Sequence, residues 1–266
     1  MGTEKRERQK AGRQTRRAEA EAVARKSRTR GAFVKWGAFA ALVLAIVIGF
    51  AVFGRDDGDD STQTTDSTTT AAPATTAAPT PCPPVEGTAE PVREFAAPFE
   101  MCIDPAKSYT AVLAYNKGDL RVALDAARAP NTVNNFVALA RSKYFDDTDC
   151  HRIIPDFVAQ CGDPTATGRG GPGYRFDDEL ENMPPYQIGS LAMANSGPNT
   201  NGSQFFVITG ERGAALDPNY TLFGQAEPGQ DDIIAALDAA GNDDPNANGV
   251  PPKEEVVLES VRIIEN

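Results

Sequence analysis

The 266-residue chain contains a single histidine, His151, and a single tryptophan, Trp36. One imidazole cannot complete a metal set. The four cysteines, Cys82, Cys102, Cys150 and Cys161, form no C-x-x-C pair of the kind that zinc and thiol redox sites favour. No G-x-S-x-G elbow is present to go with the lone histidine, so a serine hydrolase has no support. The glycine-rich stretch GDPTATGRGGPGYRFDDEL is followed by no helix start and by no Lys-Ser or Lys-Thr. It therefore reads as a loop rather than a phosphate cradle. Internal repeats are absent. Nothing in the sequence implies a cofactor or a metal.

Basic charge is also scarce outside one end. The net charge is −11, yet residues 1–35 carry twelve Lys or Arg against four Asp or Glu, and the remainder carries fourteen against thirty-three. A body this acidic argues against nucleic-acid binding. The basic tail has a different use. It precedes WGAFAALVLAIVIGFAVFG, residues 36–54, an uncharged run of nineteen residues followed by RDDGDD. At 1.5 Å per residue a helix of that length matches a bilayer core of roughly 30 Å. The basic excess places the N-terminus in the cytoplasm and the rest outside, with Trp36 at the interface. The expected topology is a single-pass plasma-membrane protein with its folded domain extracytoplasmic. A cleaved signal peptide is the alternative.

Residues 61–81, STQTTDSTTTAAPATTAAPTP, have no large apolar side chain to bury and read as a flexible stalk. The expected organisation is a basic tail (1–35), an anchor (36–54), a Thr/Ala/Pro-rich linker (55–81), a cysteine-bearing lead-in (82–106) and a folded domain (107–266). In an oxidising compartment disulfides persist. Four cysteines allow three pairings, of which two local bridges, Cys82–Cys102 and Cys150–Cys161, are favoured.

Within the folded domain, YTAVLAYNKGDLRVALD reads as a hairpin about Asn116-Lys117-Gly118-Asp119. APNTVNNFVALARSKYF reads as a helix started by Pro130, Asn131 and Thr132, with Val133, Phe136, Val137 and Ala140 on one face. DDIIAALDAAG predicts a second helix with Ile233, Ile234 and Leu237 inward. The remaining apolar runs are short and strand-like, including two around Pro155-Asp156 and a closing strand in EVVLESVRIIEN. The fold expected is mainly β, probing toward a closed barrel because closure removes edges.

Three segments carry a resemblance. HRIIPDFVAQCGDP, GSLAMANSGPNTNGSQFFVIT and LDPNYTLFGQ, in this order and with these gaps, resemble the signature blocks of the cyclophilins, which are peptidyl-prolyl cis-trans isomerases. The resemblance runs from about Tyr109 to the C-terminus. It implies an eight-stranded antiparallel β-barrel with a helix capping each end, and proline-containing polypeptides as substrates. The anchor and lead-in lie outside the family's core domain and are similar to the layout of membrane-tethered bacterial members.

Rotation about an X-Pro bond is opposed by amide resonance, a barrier near 20 kcal/mol that needs no nucleophile, metal or proton transfer to lower it. The requirement is a grip on the proline ring and a donor aimed at the prolyl nitrogen, which becomes pyramidal and basic when the bond is twisted. Arg152, permanently charged and forked, suits that role, and the resemblance assigns it there. The resemblance also assigns an apolar pocket to Phe157, Val158, Phe206, Leu216 and the ring of Tyr220. It gives support of Arg152 or of substrate backbone to Gln160 and Gln204, and pairing with the extended peptide to Ala194 and Asn195. Asn195 could instead cap a turn. Strand alternation lets only one of Phe205 and Phe206 face the groove, and the resemblance selects Phe206. His151 is expected to be a structural, hydrogen-bonded imidazole directed away from Arg152.

The register of the hairpin about Pro155-Asp156 stays open. An even loop sets Cys150 opposite Cys161, whereas sharing of one face by Arg152 and Gln160 requires an odd loop or a bulge. Tyr220 stands where well-known members carry histidine, Ala215 where many carry tryptophan, and Val158 where methionine is commoner. Loss of the indole predicts weak cyclosporin binding. Two functions are carried forward: an active isomerase that assists folding outside the membrane, and a catalytically weak, tethered peptide-binding or assembly module with the same fold.

Overall fold

The computed structural model describes residues 78–266. The basic tail, the apolar run 36–54 and most of the linker lie outside the described residues. Among the described residues no helix is long and apolar enough to cross a membrane.

Nine strands form one antiparallel sheet: β1 (Tyr109–Tyr115), β2 (Gly118–Leu124), β3 (Thr148–Asp149), β4 (Arg152–Ile154), β5 (Val158–Cys161), β6 (Ser190–Met193), β7 (Phe205–Ile208), β8 (Leu222–Ala226) and β9 (Val257–Glu265). Their order is β3-β9-β1-β2-β8-β6-β7-β5-β4. Strands β3 and β4 stand at opposite ends of this order, yet only Cys150 and His151 separate them in the chain. Laid flat, nine strands at about 4.8 Å spacing would put those ends about 38 Å apart. The link from Asp149 to Arg152 spans at most about 11 Å. The sheet must therefore curl until its ends approach. This corrects the expected closed eight-stranded barrel. Among the described residues there are nine strands, the two-residue β3 included, against the eight that the resemblance implied, and the hydrogen-bonded ladder does not close on itself. The outer side of β4 is covered by a loop instead: Ile153 N–H donates to the Gly249 carbonyl at 3.1 Å, and Asn242 N–H donates to the Ile153 carbonyl at 3.0 Å.

Three helices accompany the sheet among the described residues, against the two expected: α1 (Pro130–Arg141), a single turn α2 (Glu211–Ala214) and α3 (Asp231–Ala239). Helix α1 starts at Pro130 as its sequence predicts. Ala129 supplies no side-chain cap. The Glu179 carboxylate does so from 47 residues away, accepting from Thr132 N–H at 2.8 Å and Asn131 N–H at 3.1 Å. All residues from Thr132 to Arg141 are buried, not one face alone. The reason is the lead-in. Asn134 on the would-be polar face donates to the Glu100 carbonyl at 2.9 Å and accepts from Cys102 N–H at 2.6 Å. Helix α3 buries Ile233, Ile234 and Leu237 as expected.

The main core fills the inside of the curl. Phe136 of α1 meets Phe145, Phe223 and Phe205 at ring-centroid distances of 5.1, 5.2 and 5.5 Å. Truncating such a buried ring to alanine typically costs about 3–5 kcal/mol. Both favoured disulfides are present, with Cα–Cα distances of 5.4 Å for Cys82–Cys102 and 4.0 Å for Cys150–Cys161, and no free cysteine remains.

Candidate active site

The site is built by register. Arg152 pairs with Gln160, Gln160 with Phe206, Phe206 with Ala192, and Ala192 with Leu222. Directly paired residues share a face. One row across β4, β5, β7, β6 and β8 thus brings a guanidinium, an amide, a ring and two aliphatic groups to the outside of the sheet. The row exists because the β4–β5 loop has three residues, Pro155-Asp156-Phe157, with Asp156 at φ 59°. This odd loop places Cys150 diagonal to Cys161, and the bridge still forms. The loop is anchored by Thr209 N–H on the Phe157 carbonyl (3.0 Å) and by Glu211 N–H on Asp156 Oδ1 (2.9 Å). Gly213 makes the approach possible, since a Cβ there would lie 2.2 Å from the Phe157 carbonyl oxygen.

Beside Arg152 lies a second apolar cluster, separate from the core. Val158, Phe206, Ala192, Ile208, Leu222 and Tyr186 form its buried part, and Phe157, Leu216, Tyr220 and Ala194 pack on it partly exposed. All five expected slot residues are therefore together. Val158, 2% exposed, forms the floor, while Phe157, Leu216 and Tyr220 reach the surface. Phe206 and Tyr220 meet edge-to-face at 5.4 Å. Phe205 points the other way, into the core, as the resemblance implied. Tyr186 holds both backbone polar groups of Tyr220: its hydroxyl donates to the Tyr220 carbonyl at 2.6 Å and accepts from Tyr220 N–H at 3.1 Å. Burial raises the Tyr186 pKa to about 12, so the hydroxyl stays protonated for this task.

The Arg152 guanidinium is half-buried and faces no carboxylate in any ion pair among the described residues. Nη1 donates to Gln160 Oε1 at 3.2 Å, Nε to the Asn248 carbonyl at 3.2 Å and Nη2 to Asn248 Oδ1 at 3.2 Å. Its carbon sits 5.8 Å from the centroid of the Phe157 ring. Burial lowers its pKa, and arginine remains cationic regardless. Gln160 Nε2 donates on to Gln204 Oε1 at 2.9 Å, and Gln204 Nε2 to the Gly170 carbonyl at 2.9 Å. These amides fix the cation's direction through a chain of bonds from Arg152 to the Gly170 carbonyl.

Ala194 N–H is taken by the Gln204 carbonyl at 2.9 Å. The Asn195 side chain does cap a turn, accepting from Gly197 N–H at 3.2 Å and donating to the Asn219 carbonyl at 2.9 Å. Its own N–H and carbonyl take no backbone partner among the described residues, which leaves both for an extended chain. His151 is buried beneath the glycine-rich loop, but the hydrogen bond expected for it is not made: Nδ1 has no partner. Burial lowers its pKa, with neighbouring Asp163 opposing. Asp163 organises that loop. Burial would raise its pKa, yet the Thr165 hydroxyl and the Gly170 and Thr165 N–H groups outweigh it and hold the carboxyl below the usual range.

Three supporting residues carried no sequence signal: Asn248, in an aperiodic loop, Tyr186, and Gly170. The lead-in also reaches the site. Phe95 N–H donates to the Pro172 carbonyl at 2.9 Å, and Phe99 stacks edge-on to Tyr174 at 6.4 Å. Gly173 at φ 101° allows this contact, since a Cβ would lie 2.5 Å from the Phe95 carbonyl oxygen.

A directed cation thus stands beside an apolar slot on the outer face of the sheet. The family model described as cyclophilin type peptidyl-prolyl cis-trans isomerase/CLD matches residues 110–263. The chain belongs to that family, and its enzyme class is peptidyl-prolyl cis-trans isomerase. It is 40% identical over 203 residues to a probable peptidyl-prolyl cis-trans isomerase B of Mycobacterium leprae, covering 68% of this chain and 65% of that protein. It is also 40% identical over 174 residues to a probable isomerase A of the same organism, covering 58% and 91%. A crystal structure of a Cryptosporidium parvum cyclophilin type isomerase superposes with a TM-score of 0.54 at 33% identity, over 60% of this chain and 99% of that one.

Proposed function

We propose that the groove catalyses cis-trans isomerisation of X-Pro bonds in extracytoplasmic polypeptides and so assists their folding. The proline ring enters the slot of Phe157, Val158, Phe206, Leu216 and Tyr220. The chain before it pairs with the free backbone groups of Asn195. Arg152 donates to the prolyl nitrogen, whose lone pair is available only when the imide is twisted. The interaction is therefore stronger in the transition state than in either planar isomer, which is the condition for catalysis. Gln160 and Asn248 hold the donor beforehand, so little reorganisation is needed when the bond turns.

The observation that carries this is a half-buried guanidinium with no carboxylate partner, aimed by an amide chain beside an apolar cluster. In the purified full-length chain in detergent, Arg152→Ala lowers kcat/KM for an X-Pro peptide roughly 100- to 1,000-fold, as for loss of a preorganised transition-state donor. Equal rates would favour the tethered binding module. Membrane attachment through residues 36–54, with a cytoplasmic N-terminus, is supported by the charge asymmetry and by two disulfides that suit an oxidising compartment.

A further inference from the structure

Next to the proline slot lies a recess of about 180 Å³. It shares Gln160, Gln204, Ala194 and Asn195 with the groove, and its far wall carries Arg169 and Arg175 from the glycine-rich loop. Both arginines are exposed, and neither forms an ion pair among the described residues. No carboxylate lines the recess. Of the loop's aspartates, Asp163 is fully buried and occupied by the Thr165, Thr167 and Gly170 groups, Asp178 is occupied by Asn199 and Asn201, and Asp177 is exposed outside the recess lining. Two unpaired cations stand out on a chain whose residues 36–266 carry fourteen basic and thirty-three acidic side chains.

We infer that this recess selects substrates with an acidic side chain, Asp or Glu, shortly upstream of the proline. The proline slot proposed above is presupposed. An extended chain leaving that slot along Ala194 and Asn195 sends a side chain toward the recess, where it meets Arg169 and Arg175. The acidic surface elsewhere opposes an anionic peptide, but at physiological salt its field is screened within about 8 Å. Contacts inside the recess are shorter than that, so the local arginines decide the preference while the wider surface only slows encounter.

The test is a peptide series with Glu, Gln, Lys or Ala at the second and then the third residue before proline, with the full-length chain in detergent. At one of these positions kcat/KM falls in the order Glu, Gln, Lys. The span is roughly three- to tenfold at low salt, as for two exposed charge contacts, and narrows above about 0.5 M salt. Arg169→Glu with Arg175→Glu reverses the order, and the paired glutamine substitutions compress it toward equality. Indistinguishable Glu and Lys peptides at both positions, or a Lys preference, overturn the inference. Turnover of the Ala peptide reports separately on the isomerase. If that peptide is not turned over, the dissociation constants of the same series decide the acidic preference by the same ordering.

Discussion

Replacing Asn248 by glycine removes one of the three bonds that aim Arg152 and leaves the backbone its conformation. Asn248 sits at φ 50°, where alanine would cost about 1 kcal/mol of strain and glycine essentially none. The bond lost is Nη2 to Oδ1 at 3.2 Å; the Nε bond to the Asn248 carbonyl, also 3.2 Å, survives. A charge-assisted hydrogen bond contributes about 1.5–3 kcal/mol when desolvated. Asn248 is exposed, so water replaces much of the loss and about 0.5–1 kcal/mol remains. That corresponds to a two- to fivefold fall in kcat/KM, about half a decade. The fall appears in kcat, because the ring slot that sets ground-state binding is untouched. Asn248→Asp acts in the opposite electrostatic sense. A carboxylate beside the fork holds the donor away from the prolyl nitrogen, with a loss of roughly tenfold that salt partly relieves. Rates come from stopped-flow isomerisation of an X-Pro peptide by the full-length chain, with urea midpoints showing that each variant folds. If both variants turn over peptide as the parent does, the side-chain amide of Asn248 has no part in aiming the cation.

Thiol titration without reductant finds no free cysteine, and replacing Cys150 and Cys161 together by alanine costs roughly 3 kcal/mol in urea denaturation, from closing a loop of eleven residues. Two titratable thiols would refute one bridge, and four would refute both. The pH dependence of stability has two windows. The folded pKa of His151 is depressed below its ordinary 6.5 because burial disfavours the cation, so its contribution is present above about pH 6.5 and lost as the pH falls below. His151→Asn should flatten urea midpoints between pH 7.5 and 5; an unchanged slope there counts against the burial argument. Asp163 is held below its ordinary 3.8, so its contribution survives to about that pH and is lost beneath it. Calorimetry should show weak cyclosporin binding, since exposed Ala215 offers only a methyl group where an indole would donate a hydrogen bond; a tight isotherm overturns this.

Local structure was legible where periodicity or punctuation was strong. Pro130 and the spacing of Val133, Phe136 and Val137 marked α1, and alternation marked the β1–β2 hairpin. Long-range terms were not. The carboxylate capping α1 comes from Glu179, and its polar face is buried because the lead-in covers Asn134. The Arg152–Gln160 row depends on the positive φ of Asp156, which no alternation pattern reports, so the hairpin register stayed open until the fold was in hand. The choice of Phe206 over Phe205 came from family resemblance alone. Asn248 lies in a loop whose role is set by the edge of β4 it covers. For the cap, the buried polar face and Asn248 the deciding partner is distant in sequence.

The Cys82–Cys102 bridge has a mechanical consequence if the proposed membrane attachment puts the chain under load. A pull entering from the N-terminal side reaches Cys82, crosses the sulfur bond to Cys102 and runs on into β1. The stretch between the two cysteines, with Phe95 propping Pro172 and Phe99 against Tyr174, lies beside that covalent path and shares the load only through hydrogen bonds, those of Thr80 to Ala97, Pro98 and Glu100. While the sulfur bond is intact it takes the larger share of such a pull, whereas breaking it would send the whole force through the prop of the arginine-bearing wall.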